Sequence, residues 1–119
     1  MLETTQSNVH VVTDTGPMCQ VLLNQAQLQL AAPGTSPVMQ SAGYTKLAVA
    51  ATSSTAGQIT VQRFIDEFGQ IPQGPALTQA LTAGASGVLN ITDGVPFLSF
   101  TVAISGGTLT GVAALLQAL

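Results

Sequence analysis

Few side chains in this sequence can do acid–base or nucleophilic chemistry. His10 is the single histidine and Cys19 the single cysteine. A cysteine nucleophile needs a partner that stabilises its thiolate, and His10 is the one imidazole available for it. Nothing around Met18-Cys19 resembles a cysteine-enzyme signature. Cys19 therefore reads as an inert thiol. His10, set between Val9 and Val11 with Asp14 as the nearest carboxylate, reads as a histidine without a catalytic or metal role. One cysteine excludes an internal disulfide framework and a thiolate zinc cage, and one histidine excludes any site that needs two.

The carboxylates offer more. Asp66-Glu67 is the one adjacent acidic pair. On a strand, neighbouring side chains point to opposite faces, so these two would not share a proton or a substrate. Two readings stay open for them and for Asp93. Their oxygens could ligate calcium in a loop, although no spaced acidic loop is present. Otherwise they are solvated turn charges, or pair with Arg63. Asn90-Ile91-Thr92 matches an N-glycosylation acceptor, but it falls inside a strand-like segment and reads as a chance match. The small-residue spacing Gly107–Gly111 also sits in a strand context, not in an apolar helix. No phosphate loop or nucleophile elbow is present. The expectation is a protein that is not an enzyme, with no catalytic, cofactor-binding or metal residues and no cofactor.

Composition narrows the partners. The chain has 119 residues, enough for one domain. Seven residues are charged, 2 basic and 5 acidic, for a net charge of −3. One lysine and one arginine cannot build a basic patch, which argues against nucleic acid and against anionic lipid. Hydrophobic residues make up 46%, the reverse of a disordered composition. No apolar run approaches the ~20 residues of a membrane helix. The N-terminus MLETTQSNVH is polar and lacks the pattern of a signal peptide. Thr, Gln, Ser, Gly and Ala stand where charge usually would. Such a surface lacks the repulsion that keeps small proteins apart, so it suits a subunit whose neighbours cover it. A homo-oligomer is expected.

Positioning elements can be read from periodicity. Residues 1–20 are polar, with a possible short strand at Asn8–Thr13 and a break at Gly16-Pro17. They read as an irregular arm or peripheral strand, and residues 21–119 as the domain. The arm could add a strand to a neighbour's sheet edge, with Val9, Val11 and Val12 as partner-binding residues. Val21–Ala32 fits a helix by composition and a strand by the alternation Gln25–Leu30; the downstream strands favour a strand. Tyr44–Thr52 and Gln58–Asp66 alternate, with Leu47, Val49, Ile59 and Val61 inward, and their short Ser/Thr/Gly link predicts a hairpin. Arg63-Phe64-Ile65 breaks the alternation. Glu67–Gln79, with Gly69, Pro72, Gly74 and Pro75, reads as a long loop, followed by a flexible Ala80–Gly87. Val88–Thr92 and Phe97–Ile104 are strands, and Ser105-Gly106-Gly107 predicts a second hairpin leading into Thr108–Leu116.

The result is an all-β chain: a single small antiparallel β-sandwich or jelly roll. Its predicted core is Leu47, Val49, Ile59, Val61, Phe64, Leu89, Ile91, Leu98, Phe100, Val102, Ile104 and Leu109.

The order of segments across Gly43–Ile104 resembles a known type of virion protein. It runs Gly43-Tyr44, the apolar strand Lys46–Ala51, Ser53–Gly57, then QITVQRF at Gln58–Phe64. A Pro/Gly loop, Ala83-Gly84, Pro96-Phe97 and FTVAI at Phe100–Ile104 follow. This is similar to the jelly-roll head-decoration (cement) proteins of tailed bacteriophages. Ala56–Gln62 fits the start of their middle hairpin; Asp66-Glu67-Phe68-Gly69 departs from the Asp-Gly expected after it. The resemblance covers about half the chain and carries no single residue over. It implies a homotrimer on the capsid surface, bound to the major capsid protein. The competing expectation is a carbohydrate- or receptor-binding sandwich of a phage fibre. Sugar binding usually needs exposed aromatics, and the chain has no Trp and only Tyr44, Phe64, Phe68, Phe97 and Phe100.

Overall fold

The computed structural model describes residues 3–5, 10–12, 20–41 and 44–117. In chain order the elements begin with β1 (Glu3–Thr5) and β2 (His10–Val12), then β3 (Gln20–Asn24) and α1 (Gln25–Leu28). β4 (Gly34–Thr35), β5 (Met39–Gln40), β6 (Lys46–Ser53) and β7 (Gly57–Phe64) follow. The last are β8 (Leu77–Leu81), β9 (Ser86–Ile91), β10 (Ser99–Ser105) and β11 (Leu109–Gln117). β1 and β2 pair with each other as an antiparallel ribbon, Glu3 opposite Val12. The expected irregular arm thus holds two short strands, and the second lies within Asn8–Thr13.

Two antiparallel sheets make the sandwich. One has the order β3-β11-β6-β9; the other has β4-β10-β7-β8, with β5 also paired to β10. The pairs are nested. β3 meets β11, β4 and β5 meet β10, β6 meets β9, and β7 meets β8. From β3 onward, first strand with last and second with next to last is the wrapping of a jelly roll.

Alternation supplies the core between the sheets. Leu47, Val49, Leu89, Ile91, Ala114 and Leu116 face Ile59, Val61, Phe100, Val102 and Ile104, all buried. Every predicted core residue is buried except Leu98, which is 46% exposed. Phe97 is buried in its place, because β10 begins at Ser99 and the preceding segment does not keep the strand's alternation.

Three further expectations are corrected. The links β6–β7 and β10–β11 are not hairpins, because each crosses from one sheet to the other. Short Gly/Ser turns serve either purpose. Here the inward faces of consecutive strands are opposed across the core, which a hairpin within one sheet would prevent. Val21–Ala32 is neither one strand nor one helix. Asn24 ends β3 and caps a single helical turn, its side chain accepting from the Gln27 N–H while the Gln27 side chain accepts from the Asn24 N–H. Gln29, at φ 55°, stops the turn. Leu28 and Leu30 then close one end of the core. Finally, Leu77–Leu81 is an edge strand on β7, in a region expected to be loop.

Candidate functional site

Connections alternate between the two ends of a jelly roll. The links 53–57 and 105–109 lie at one end; the loops 65–76 and 92–98 lie at the other, beside β5. This second end gathers most of the exposed large apolar side chains.

The 65–76 loop is shaped by Asp66. Its carboxylate accepts hydrogen bonds from the backbone N–H groups of Ile71 (2.8 Å), Gln70 (2.9 Å) and Phe68 (3.1 Å). Partial desolvation pushes this carboxyl up, but the main-chain donors outweigh it and hold the group below its ordinary value. The Ile65 N–H donates to the Ile71 carbonyl (3.0 Å), closing the loop on itself. Ser99 anchors it from below, its hydroxyl donating to the Asp66 carbonyl (2.6 Å). Asp66-Glu67 therefore lies in a turn beyond β7, not on a strand as the sequence reading took it. Asp66 is occupied in shaping that turn.

Folded this way, the loop presents its apolar side chains outward. Phe68 is 70% exposed, Ile65 55% and Ile71 53%. The Leu98 N–H donates to the Phe64 carbonyl (3.0 Å), which sets Leu98, itself 46% exposed, beside the start of this loop. Val38 joins from the β4–β5 strand line. Gly69, at φ 73°, rests against it so closely that a Cβ there would strike the Val38 side chain. Ile65, Phe68, Ile71, Leu98 and Val38 form one apolar end surface, with Glu67 exposed beside it.

A charged clasp braces this end. Arg63, at the end of β7, is 9% exposed and donates two parallel bonds to Asp93, Nη1 to Oδ1 and Nη2 to Oδ2, each 3.0 Å. Its guanidinium carbon lies 5.7 Å from the Phe97 ring centroid. Asp93 also accepts the Val95 N–H (3.0 Å). The Arg63 hydrogen bonds, helped by that N–H, hold the Asp93 carboxyl below its ordinary value. Of the two readings open for Asp93, the structure shows the ion pair. Among the described residues no three His, Cys, Asp or Glu come together as a metal site.

The clasp gives a pH prediction. Both Asp66 and Asp93 are depressed in the folded state, so each contributes stability that is complete above the unfolded carboxylate value of ~4 and lost as pH falls through the folded value. The melting temperature should change little between pH 7 and 5 on their account, then drop below about pH 4. The Asp66→Asn/Asp93→Asn double variant should show a shallower acid drop. Equal slopes in melts of the two proteins would locate the acid sensitivity elsewhere.

Of the remaining predicted residues, Val11, Val12 and His10 lie on β2; Val9 and Cys19 fall outside the described residues. Asn90 is exposed on β9. An open hollow of about 470 Å³ lies on the outer face of the β4-β10-β7-β8 sheet, lined by Thr35, Gln58, Thr60 and Ser105 among others and by no aromatic. The end surface itself was missed by sequence reasoning. Its signal was available in Ile65, Phe68 and Ile71, apolar residues set in a segment too rich in Gly and Pro to be core.

No family model matches the chain, and no curated protein matches it. Two solved structures show a distant likeness. One is the crystal structure of Drosophila melanogaster CENP-C bound to CAL1, at 7% identity and a TM-score of 0.37, spanning 98% of this chain and 76% of that one. The other is the Drosophila melanogaster CENP-C cumin domain, at 7% identity and a TM-score of 0.36, spanning 98% and 72%. Likenesses this distant carry no argument about function. Among the described residues no helix is long and apolar enough to cross a membrane.

Proposed function

We propose that this chain is a non-enzymatic structural subunit of a virion, a capsid decoration or minor coat protein that binds the shell through its apolar end surface. The observation that carries the reading is that surface. Phe68, Ile71 and Ile65 are held outward by a loop whose turn is fixed by the Asp66 carboxylate, and Leu98 joins them from the neighbouring 92–98 loop. Apolar side chains presented on an ordered loop mark a contact surface. The nearly charge-free exterior suits a protein whose neighbours cover it. Jelly rolls also serve lectins and cupins, so the fold alone does not choose. The order of segments over Gly43–Ile104 favours the virion reading. The alternative, a carbohydrate-binding module, is disfavoured because the open hollow on the outer face of the β4-β10-β7-β8 sheet has no aromatic platform.

The test uses gradient-purified particles of the encoding virus. The chain should co-purify with intact particles. Phe68→Ser combined with Ile71→Ser should reduce its occupancy at least tenfold, while its melting curve stays within a few degrees of wild type. Absence from the particles overturns the virion reading. Unchanged occupancy of the double variant overturns the end surface as the attachment.

A further inference from the structure

The two sheets differ on their outward faces. On β7 and β10 the outward positions are polar or small: Gln58, Thr60, Gln62, Thr101, Ala103 and Ser105. The β3-β11-β6-β9 sheet carries an apolar band of Leu22, Leu115, Ala48, Ala113, Ala50 and Val88, with Asn90 and Asn24 ending its two rows and Gln20, Gln117, Lys46, Thr52 and Ser86 around it. The register aligns them in two rows. Leu22 lies opposite Leu115, and Leu115 opposite Ala48; Ala113 lies opposite Ala50, and Ala50 opposite Val88. An antiparallel sheet with one wet face should alternate apolar and polar. β6 and β11 do not: Leu47–Ala51 and Val112–Leu116 are apolar without interruption. That is the pattern of strands covered on both faces. Yet among the described residues this outer face is not buried: Leu22 and Val88 are 42% and 43% exposed.

We infer that this outer face packs against the same face of a second copy of the chain, as a two-fold pair with its axis along the strands. Such an axis keeps each row and exchanges left for right. Leu115 of each copy then falls on Ala48 of the other and Ala113 on Ala50, while at the rim Leu22 meets Asn90 and Val88 meets Asn24. A hollow of about 60 Å³ lies there, lined by Ala48, Leu115, Lys46 and Asn90 among others. Knob and hollow on one face are what an isologous contact requires, residue i meeting j and j meeting i.

Charge fits the same arrangement. Lys46 is the one charged residue described on this face, and the axis sets it opposite Gln117, in whose row it lies. No like charges meet. The size fits as well. Four strands about 4.8 Å apart and roughly 25 Å long give a face of about 500 Å² in projection. Side-chain relief raises the accessible area toward the ~800 Å² per partner of a standard interface. Aligned packing of two sheets is an established geometry.

This pairing does not depend on the shell reading, and it yields an even-numbered assembly rather than a trimer. Sedimentation equilibrium of the full chain should give a dimer or a multiple of it. Ala48→Glu should convert it to monomer with its melting curve retained, whereas Thr60→Glu on the other outward face should leave the mass unchanged. A wild-type monomer at high micromolar concentration, or a trimer, overturns the proposal. So does an Ala48→Glu protein that keeps its dimer. If Ala48→Glu fails to fold, crosslinking decides. In a Cys19→Ser background, Ala48→Cys and Leu115→Cys chains should form a disulfide-linked dimer when mixed, and neither should alone. No dimer from the mixture overturns the pairing.

Discussion

Gly57→Val should destabilise the domain by about 3 kcal/mol, the upper part of the range for overpacking a closely fitted site. Gly57 opens β7 just after the chain crosses from one sheet to the other. A Cβ at this position would run into the Ser105 main-chain carbonyl at the neighbouring crossing. The obstacle is backbone, so no rotamer change relieves it. The two crossings are also tied together. Ser53 Oγ accepts from the Gly107 N–H (2.9 Å) and the Thr55 N–H (3.2 Å), and the Thr108 N–H donates to Ser54 Oγ (2.8 Å). The Ser54 N–H in turn donates to the Thr108 carbonyl (2.9 Å). Pushing the links apart strains these bonds together, and Ser53 is fully buried, so water cannot replace the bonds its hydroxyl would lose. Urea unfolding of the variant should show a lower midpoint with an unchanged slope. Gly34→Val is the control: like Gly57 it opens a strand without a left-handed backbone, but a Cβ there comes no nearer than 3.9 Å to its surroundings. If both variants lost the same stability, the loss of a strand glycine as such, rather than the stacked crossings, would be responsible.

Those crossings also show what the sequence could and could not tell. Alternation states which face of a strand is inward, and it placed Leu47, Val49, Ile59 and Val61 correctly. It does not name the strand's neighbour. Ser53–Gly57 and Ser105–Gly107 have hairpin composition, and the choice between hairpin and crossing is made by the opposite sheet. That choice depends on contacts such as Gly57 on Ser105, about 48 residues apart in the chain. β8 stayed hidden for a different reason. Leu77–Leu81 is an edge strand with one fully buried side chain, Leu81, so its sequence carries little periodic signal, and Pro72, Gly74 and Pro75 ahead of it spoke for loop. α1 had a legible cap in Asn24 and Gln27, but a single turn is shorter than any hydrophobic period that would reveal it.

The candidate surface was legible only in its ingredients. Arg63 and Asp93 were read as possible partners because they are among the few charges in the chain. That Phe97 would pack beneath Arg63 while Leu98 turned outward depended on where β10 begins. A slip of one residue exchanges the core and solvent faces of a strand. Here the exchange turned Leu98 outward beside the start of the 65–76 loop and helped to create the apolar end.

Phe100→Ala should have the largest effect of any single truncation in the core, about 3–5 kcal/mol. Phe100 is fully buried in β10, flanked on one side by β5 and on the other by β7, with Met39 and Arg63 as its register partners. Its ring meets Phe97 edge to face, centroids 6.1 Å apart and planes at 85°. Phe97 in turn underlies the Arg63 guanidinium. Removing the Phe100 ring therefore leaves a cavity and loosens the platform beneath the Arg63–Asp93 clasp. A domain of 119 residues has about 6–18 kcal/mol in all, so the loss is a large share of it. Phe100→Leu keeps most of the apolar volume and should cost clearly less. The coupling to the clasp can be measured separately. Asp93→Asn should destabilise the wild-type background more than the Phe100→Ala background, because residues sharing a partner do not add independently. Additive losses in the double-mutant cycle would show that the ring stack and the clasp act separately. In that case the clasp would brace the apolar end without help from the ring beneath it.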